Sequence, residues 1–216
     1  MNKQTKQAGI LALAILAVVV GPAKAAVTLV KSRAAMDGND LINWAQLGPT
    51  LTIVPTPAPV TSNGGLRALV SNLGGSSVVT DKQGDPWDGN FALNAPIIAT
   101  GQFVPVGSIS IAFATPVSAV GAQMGYNNEA GSPPFSFTEV ITAYDFDGNL
   151  LGTFTVNGRE NTDGNNSAVF VGIKDSIPEI STVVFSTTTF TGSDPGAIAI
   201  NNVTLVVPAG CETNRK

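Results

Sequence analysis

Among residue types able to do chemistry, carboxylates dominate this chain, and histidine is absent. Without an imidazole there is no Ser-His-Asp or Cys-His arrangement, and zinc sites built on His and Cys are excluded. The single cysteine, Cys211, has no base partner for nucleophilic catalysis and no second thiol for an internal disulfide. An odd cysteine can pair only between chains, and an idle tail thiol is the simpler expectation. Glycoside hydrolysis needs only two carboxyl groups. Glu129, Glu139, Glu160 and Glu179 are the candidates, with Glu129 and Glu160 read in loops, Glu139 at the start of a strand and Glu179 behind Pro178. Nothing in their spacing brings a pair together, so they are expected to be ordinary solvated carboxylates.

Oxygen donors in glycine-containing turns point to calcium, and a structural calcium is the candidate cofactor. Asp37 and Asp40, with Asn202 near the far end of the chain, are the candidate ligands. The turn Asp145-Phe-Asp147-Gly-Asn149 resembles the opening of an EF-hand loop. The residues that follow form a strand pattern without the bidentate Glu such a loop requires, so an ordinary turn is expected. The remaining candidate is a glycan surface. Trp87 sits between Asp85 and Asp88 in a polar loop, where an indole can stack on a sugar or fold over the end of the core as a lid. Tyr126 precedes a second long loop, Asn127 to Pro134, and joins Trp87, Asp85 and Asp88 as a candidate ligand-binding residue. Trp44, between Ile42 and Leu47, is expected in the core.

The elements that must carry these residues are strands. Thr138 to Gly158 alternates β-branched and aromatic residues on either side of Asp147-Gly148-Asn149, which predicts a β-hairpin. Further strands are predicted at Val27–Lys31, Leu51–Val54, Leu66–Asn72, Ser77–Thr80, Ile97–Thr100, Ser108–Phe113, Val117–Met124, Ala168–Ile173, Ile180–Ser186 and Ala197–Val207, with a strand-like piece at Phe91–Leu93. Asn201-Asn202 shifts the phase of the last strand as a bulge would. Pro116 separates two strands, Arg159 to Asn166 reads as a loop, and the prolines from Pro55 to Pro59 mark a crossing loop or an exposed edge. No long 3.6-residue apolar period occurs. The expectation is an all-β, antiparallel, jelly-roll-like β-sandwich with little helix, as one domain over residues 26–207 with a polar tail at 208–216.

The first 25 residues read differently. Lys3 and Lys6 precede an apolar run from Ala8 to Val20, and Ala23-Lys24-Ala25 supplies a cleavage site. This is the pattern of a secretory signal peptide, and the apolar run is short for a membrane span. A secreted, periplasmic or extracellular protein without a membrane span in its mature chain is therefore expected. Removing Lys3, Lys6 and Lys24 makes the formal charge more negative than the −4 of the whole chain. So few cations argue against nucleic acid or anionic lipid as a partner.

The phrases LINWAQLGP, GDPWDGNF, IAFATPVSAVGAQMG, ITAYDFDGNLLGTF, SAVFVGI and AIAINNVTL span Leu41 to Leu205. In this order they resemble a group of secreted bacterial β-sandwich proteins, many of which carry a C-terminal PEP-CTERM sorting tag. The resemblance implies a jelly-roll-like sandwich, export and no established chemistry. Asn201 stands where such proteins often have Asp, and Val207-Pro208-Ala209-Gly210 leads into a short polar tail rather than the tag. Together these features point to an exported, non-enzymatic protein with a structural, adhesive or weak glycan-binding role at the cell envelope or matrix. The alternative is a carbohydrate-active enzyme using a carboxylate pair.

Overall fold

The computed structural model describes residues 26–101, 103–127, 134–189 and 196–209. The expected signal peptide, Glu129, Cys211 and all but the start of the polar tail lie outside the described residues. The strands are β1 (Thr28–Val30), β2 (Asp40–Ile42), β3 (Ile53–Pro55), β4 (Ala58–Thr61), β5 (Arg67–Asn72), β6 (Ser77–Lys82), β7 (Pro96–Thr100) and β8 (Ile109–Val117). They continue as β9 (Ala119–Asn127), β10 (Phe135–Tyr144), β11 (Leu150–Glu160), β12 (Val169–Lys174), β13 (Ile180–Thr189), β14 (Ala197–Asn201) and β15 (Val203–Val206). The only helical pieces among the described residues are α1 (Arg33–Met36) and a 3-10 turn at Trp44–Leu47.

Two antiparallel sheets pack face to face, as the alternating pattern predicts. The larger has nine strands, ordered β1-β12-β9-β14-β7-β6-β3, with β15 lying between β9 and β2. The smaller has six, ordered β11-β10-β13-β8-β5-β4. The prolines that begin at Pro55 carry the chain from an edge of one sheet to an edge of the other, because a residue without an N–H cannot complete a central ladder. The hairpin pairs Phe135 with Glu160 through Ala143 with Gly152 in one continuous register. Its turn is closed by Asp145, whose Oδ1 accepts from the backbone N–H groups of Asp147 (3.0 Å) and Asn149 (2.8 Å). Gly148 takes the positive φ of 80° that this turn needs.

β9 pairs with β14 through Ile200–Met124 and with β15 from Thr204–Gly121, a slip of one residue across Asn201-Asn202. This is the expected bulge. Three local expectations are corrected. Pro116 does not end a strand: β8 runs through it, and the missing N–H falls where the β8–β13 register breaks. Phe91–Leu93 forms only an isolated bridge between Ala92 and Asn165. β11 extends through Arg159 and Glu160, which the polar composition had placed in a loop.

Alternate residues of both sheets fill the main core, including Trp44, Val70, Ile98, Ile111, Met124, Ile141 and Phe185. Trp44 is buried as expected, its indole N–H donating to the Asn201 carbonyl (2.9 Å). The opposite side of the nine-stranded sheet is also apolar in two places, and each is covered. The loop after β6 lays Trp87 and Phe91 over Val79, Ile97 and Ala99. α1 lays Met36 beside Ala119 and Phe170, where a Cβ at Gly121 would approach Met36 Cε at 2.6 Å. The outer side of the six-stranded sheet has no such cover among the described residues.

Replacing Trp44 by Phe keeps the aromatic filling but strands the Asn201 carbonyl. Urea denaturation should show a loss of about 1–2 kcal/mol with an unchanged m-value.

Candidate functional site

Two of the residues that could do acid–base chemistry, Glu139 and Glu160, are buried inside the sandwich. Glu139 lies in the middle of β10, on the inward side shared by Phe137, Ile141 and Ala143. Glu160 ends β11, where the main core meets the Trp87–Phe91 cluster. Their exposures are 0% and 2%. The expectation of solvated carboxylates is thus wrong for both. The strand period turns Glu139 inward, and the extension of β11 carries Glu160 under the loops.

The two groups are held very differently. Glu160 Oε1 accepts from the backbone N–H of Asn90 (3.0 Å) and Oε2 from that of Tyr126 (3.1 Å), with the Trp87 indole N–H facing it. Asn90 also donates from Nδ2 to the Arg159 carbonyl (2.9 Å), so the loop is tied to this carboxyl and to the residue before it. Gln83 completes the latch, donating to the Gly89 carbonyl (2.7 Å) and accepting from the Phe91 N–H (3.2 Å). A Cβ at Gly89 would fall on Glu160 Oε1 and Trp87 Nε1, so only glycine lets the loop approach this closely. Glu139, by contrast, has no hydrogen-bond partner for either oxygen among the described residues; its cross-strand neighbours are Val156 and Thr187.

Charge follows from this setting. Burial pushes the Glu139 carboxyl well above the usual carboxylate range, and the nearby Glu160 charge pushes it further. Burial also raises Glu160, to about 7, against the opposing pull of the Tyr126, Asn90 and Trp87 N–H donors. Asp81, whose Oδ1 accepts from the Lys82 (2.6 Å) and Trp87 (3.3 Å) N–H groups, is likewise raised by burial. The arrangement can hold protons on its two glutamates. Neither glutamate lines the described cavities.

The glycan candidates do not form one surface. Trp87 is 1% exposed, in the lid position, and packs at 6.4 Å from the Phe91 ring. Tyr126 is buried and stacks on Phe137 with centroids 5.5 Å apart. Asp85 and Asp88 stay at the surface, Asp85 beside Lys82 at 3.6 Å. Large aromatics near a sheet face are worth more buried than exposed, which is why the indole turns in.

Each calcium candidate is engaged by other partners. Asp37 caps α1 with a φ of 55° and pairs with Lys174 (3.3 Å). Asp40 accepts from the Gly64 N–H (2.7 Å), the Leu41 N–H (2.7 Å) and the Ser62 hydroxyl. The Asn202 carbonyl accepts from Arg33 (3.0 Å), whose guanidinium also reaches Asn201 Oδ1 (3.1 Å) and the Thr204 hydroxyl. A fixed cation already occupies the oxygen cluster beside Asn202, and no group of three His, Cys, Asp or Glu is placed to hold a metal among the described residues.

Both glutamates bind a proton more tightly folded than unfolded, so they favour the native state on the acid side. That contribution is complete below about pH 4.5 and is lost as pH rises through about 7 for Glu160, and the raised Glu139 acts in the same direction. Melting temperature should therefore fall as pH rises from 5 through 7, and Glu160→Gln should flatten the profile. Glu139→Leu should stabilise the protein by about 1–3 kcal/mol at pH 8, since it removes an unpaired buried carboxyl. Glu160→Ala should cost about 2–4 kcal/mol by orphaning two backbone N–H groups. Equilibrium denaturation at pH 5 and pH 8 measures all three.

No protein-family model matches the sequence, and no curated protein is significantly similar to it. The solved structures that align with this chain are distant. A DUF4465 family protein from Bacteroides caccae ATCC 43185 aligns with a TM-score of 0.46 at 11% identity, over 79% of this chain and 100% of that one. The enzymatically active domain of tailspike protein 4 of bacteriophage CBA120 aligns with a TM-score of 0.33 at 15% identity, over 65% of this chain and 19% of that one. CsCBM6-3 from Clostridium stercorarium, solved with cellobiose, aligns with a TM-score of 0.23 at 15% identity, over 84% of this chain and 94% of that one.

Proposed function

We propose that this chain is an exported, non-enzymatic β-sandwich protein with a structural, adhesive or weak glycan-binding role at the cell envelope or matrix. The contact surface in this reading is the outer side of the six-stranded sheet. The observation that carries it is an asymmetry of cover. The two glutamates able to do hydrolysis are buried, while the outer sheet face is at least partly exposed. Its central positions are Thr138, Val140 and Thr142 on β10, Thr182 and Val184 on β13, and Leu69 on β5, all at least partly exposed. No Asp, Glu, Lys or Arg stands among them. Hydroxyls and methyls at the spacing of a β-sheet suit a neutral, hydrogen-bonding surface such as a polysaccharide better than a charged one. At the β4–β5–β8 margin the face dips into an apolar groove of ≈ 450 Å³ lined by Pro59, Leu69 and Phe113, with Arg67 at its rim. Export and the family resemblance rest on the N-terminal pattern and the quoted phrases.

A second reading, a glycan hydrolase using Glu139 and Glu160, is supported by their being neighbours with raised proton affinity. It requires the loop end to open. Retention of the purified protein on a panel of insoluble polysaccharides, with reducing ends assayed in parallel, separates the two. Binding without turnover is expected, and the double variant Thr182→Glu and Leu69→Glu should weaken retention about tenfold at unchanged melting temperature, the scale of one or two lost contacts. Release of sugar that Glu160→Gln abolishes would overturn the non-enzymatic reading in favour of the second.

A further inference from the structure

Sheet edges are sites where a chain invites pairing, and this protein protects its edges unequally. In the nine-stranded sheet the strands that end the ladders are β1, β2 and β3, each three residues long, and β3 closes on Pro55. In the six-stranded sheet one edge is β4, four residues with Pro59 within it. The other is β11, eleven residues long. β11 contains no proline and no lysine, and no charged side chain between Leu150 and Gly158. It pairs with β10 on one side, and among the described residues no strand pairs with it on the other.

We propose that β11 is a self-association edge, and that two copies of this chain join there by antiparallel strand addition across a two-fold axis. A two-fold brings the same strand to itself running the opposite way, so the edge is its own complement. Inward and outward faces must also match across the junction, which restricts pairing to residues of equal parity. Placing Thr153 opposite Thr153 of the second copy satisfies this and pairs Leu150 to Val156 of one copy with Val156 to Leu150 of the other. Phe154 then stands against Gly152, and Leu150, 57% exposed in the single chain, gains Val156 as its cross-strand neighbour. Arg159 comes alongside Asp147 of the other copy, which supplies opposite charge at both ends of the ladder. The product is one continuous twelve-stranded sheet. The edges that remain are short or proline-bearing, so growth stops at the dimer.

The test uses the full mature chain. Sedimentation velocity across the micromolar range should show a monomer–dimer equilibrium without larger species. Thr153→Lys sets two ammonium groups against each other and should raise the dimer Kd about tenfold or more. In a Cys211→Ser background, Thr153→Cys should form a disulfide-linked dimer on mild oxidation, because directly paired antiparallel residues lie about 4.5–5.5 Å apart, within disulfide reach. Thr155→Cys, offset from its own copy, should not. A monomer at every concentration would overturn the proposal, as would a dimer indifferent to Thr153→Lys or one that Thr155→Cys links and Thr153→Cys does not. Thr182→Glu with Leu69→Glu lies on the face rather than the edge and should leave the dimer intact, so this outcome is independent of the polysaccharide reading.

Discussion

A one-residue slip at Asn201-Asn202 ties this sandwich together. It lets β9 hydrogen-bond to β14 over one half of its length and to β15 over the other. A slip leaves backbone and side-chain polar groups without ladder partners, and burial makes such orphans costly. Here several find one. The Asn201 side chain accepts from the Gln123 N–H (3.0 Å) and from Arg33, and donates to Gln123 Oε1 (2.6 Å). The Asn201 carbonyl takes the Trp44 indole, and Asn202 takes Arg33 and the Trp44 N–H. The bulge thereby fixes α1, the 3-10 turn and three strands at one point. Arg33 also lies 5.5 Å over the Phe170 ring, so the same guanidinium that closes the polar network anchors the apolar cap.

With the nine-stranded sheet covered on both sides, the chemistry of the molecule divides. Acids that composition leaves free for catalysis are drawn in where the two cores meet. One is stabilised by two backbone N–H donors, and the other is kept neutral by its apolar surroundings. The surface left for partners is built from threonine, serine and aliphatic side chains, and it ends at a strand with nothing to discourage pairing. Those two features, a neutral face and an open edge, underlie the contact role proposed above.

The sequence itself determined the all-β class, the hairpin, the bulge, the proline-marked edges and the burial of Trp44, because each depends on local alternation or on a residue whose backbone geometry permits few alternatives. The parity that places Glu139 with Ile141 and Ala143 was also present in the sequence. What alternation could not decide was which side faces inward, since both sides of β10 carry β-branched and aromatic residues. Nor could composition show that β11 runs on into a polar stretch, because Arg159 and Glu160 are held there by partners from distant loops rather than by their own propensity. The fate of Trp87 was decided by Val79, Ile97 and Ala99, an outer apolar patch assembled from strands far apart in the chain. The placing of Glu160 under the Trp87 loop, the pairing of Asp37 with Lys174 and of Asn202 with Arg33, and the position of β11 at the edge of its sheet are long-range juxtapositions. Only tertiary structure creates them, since period and propensity specify a strand's faces but not its neighbours.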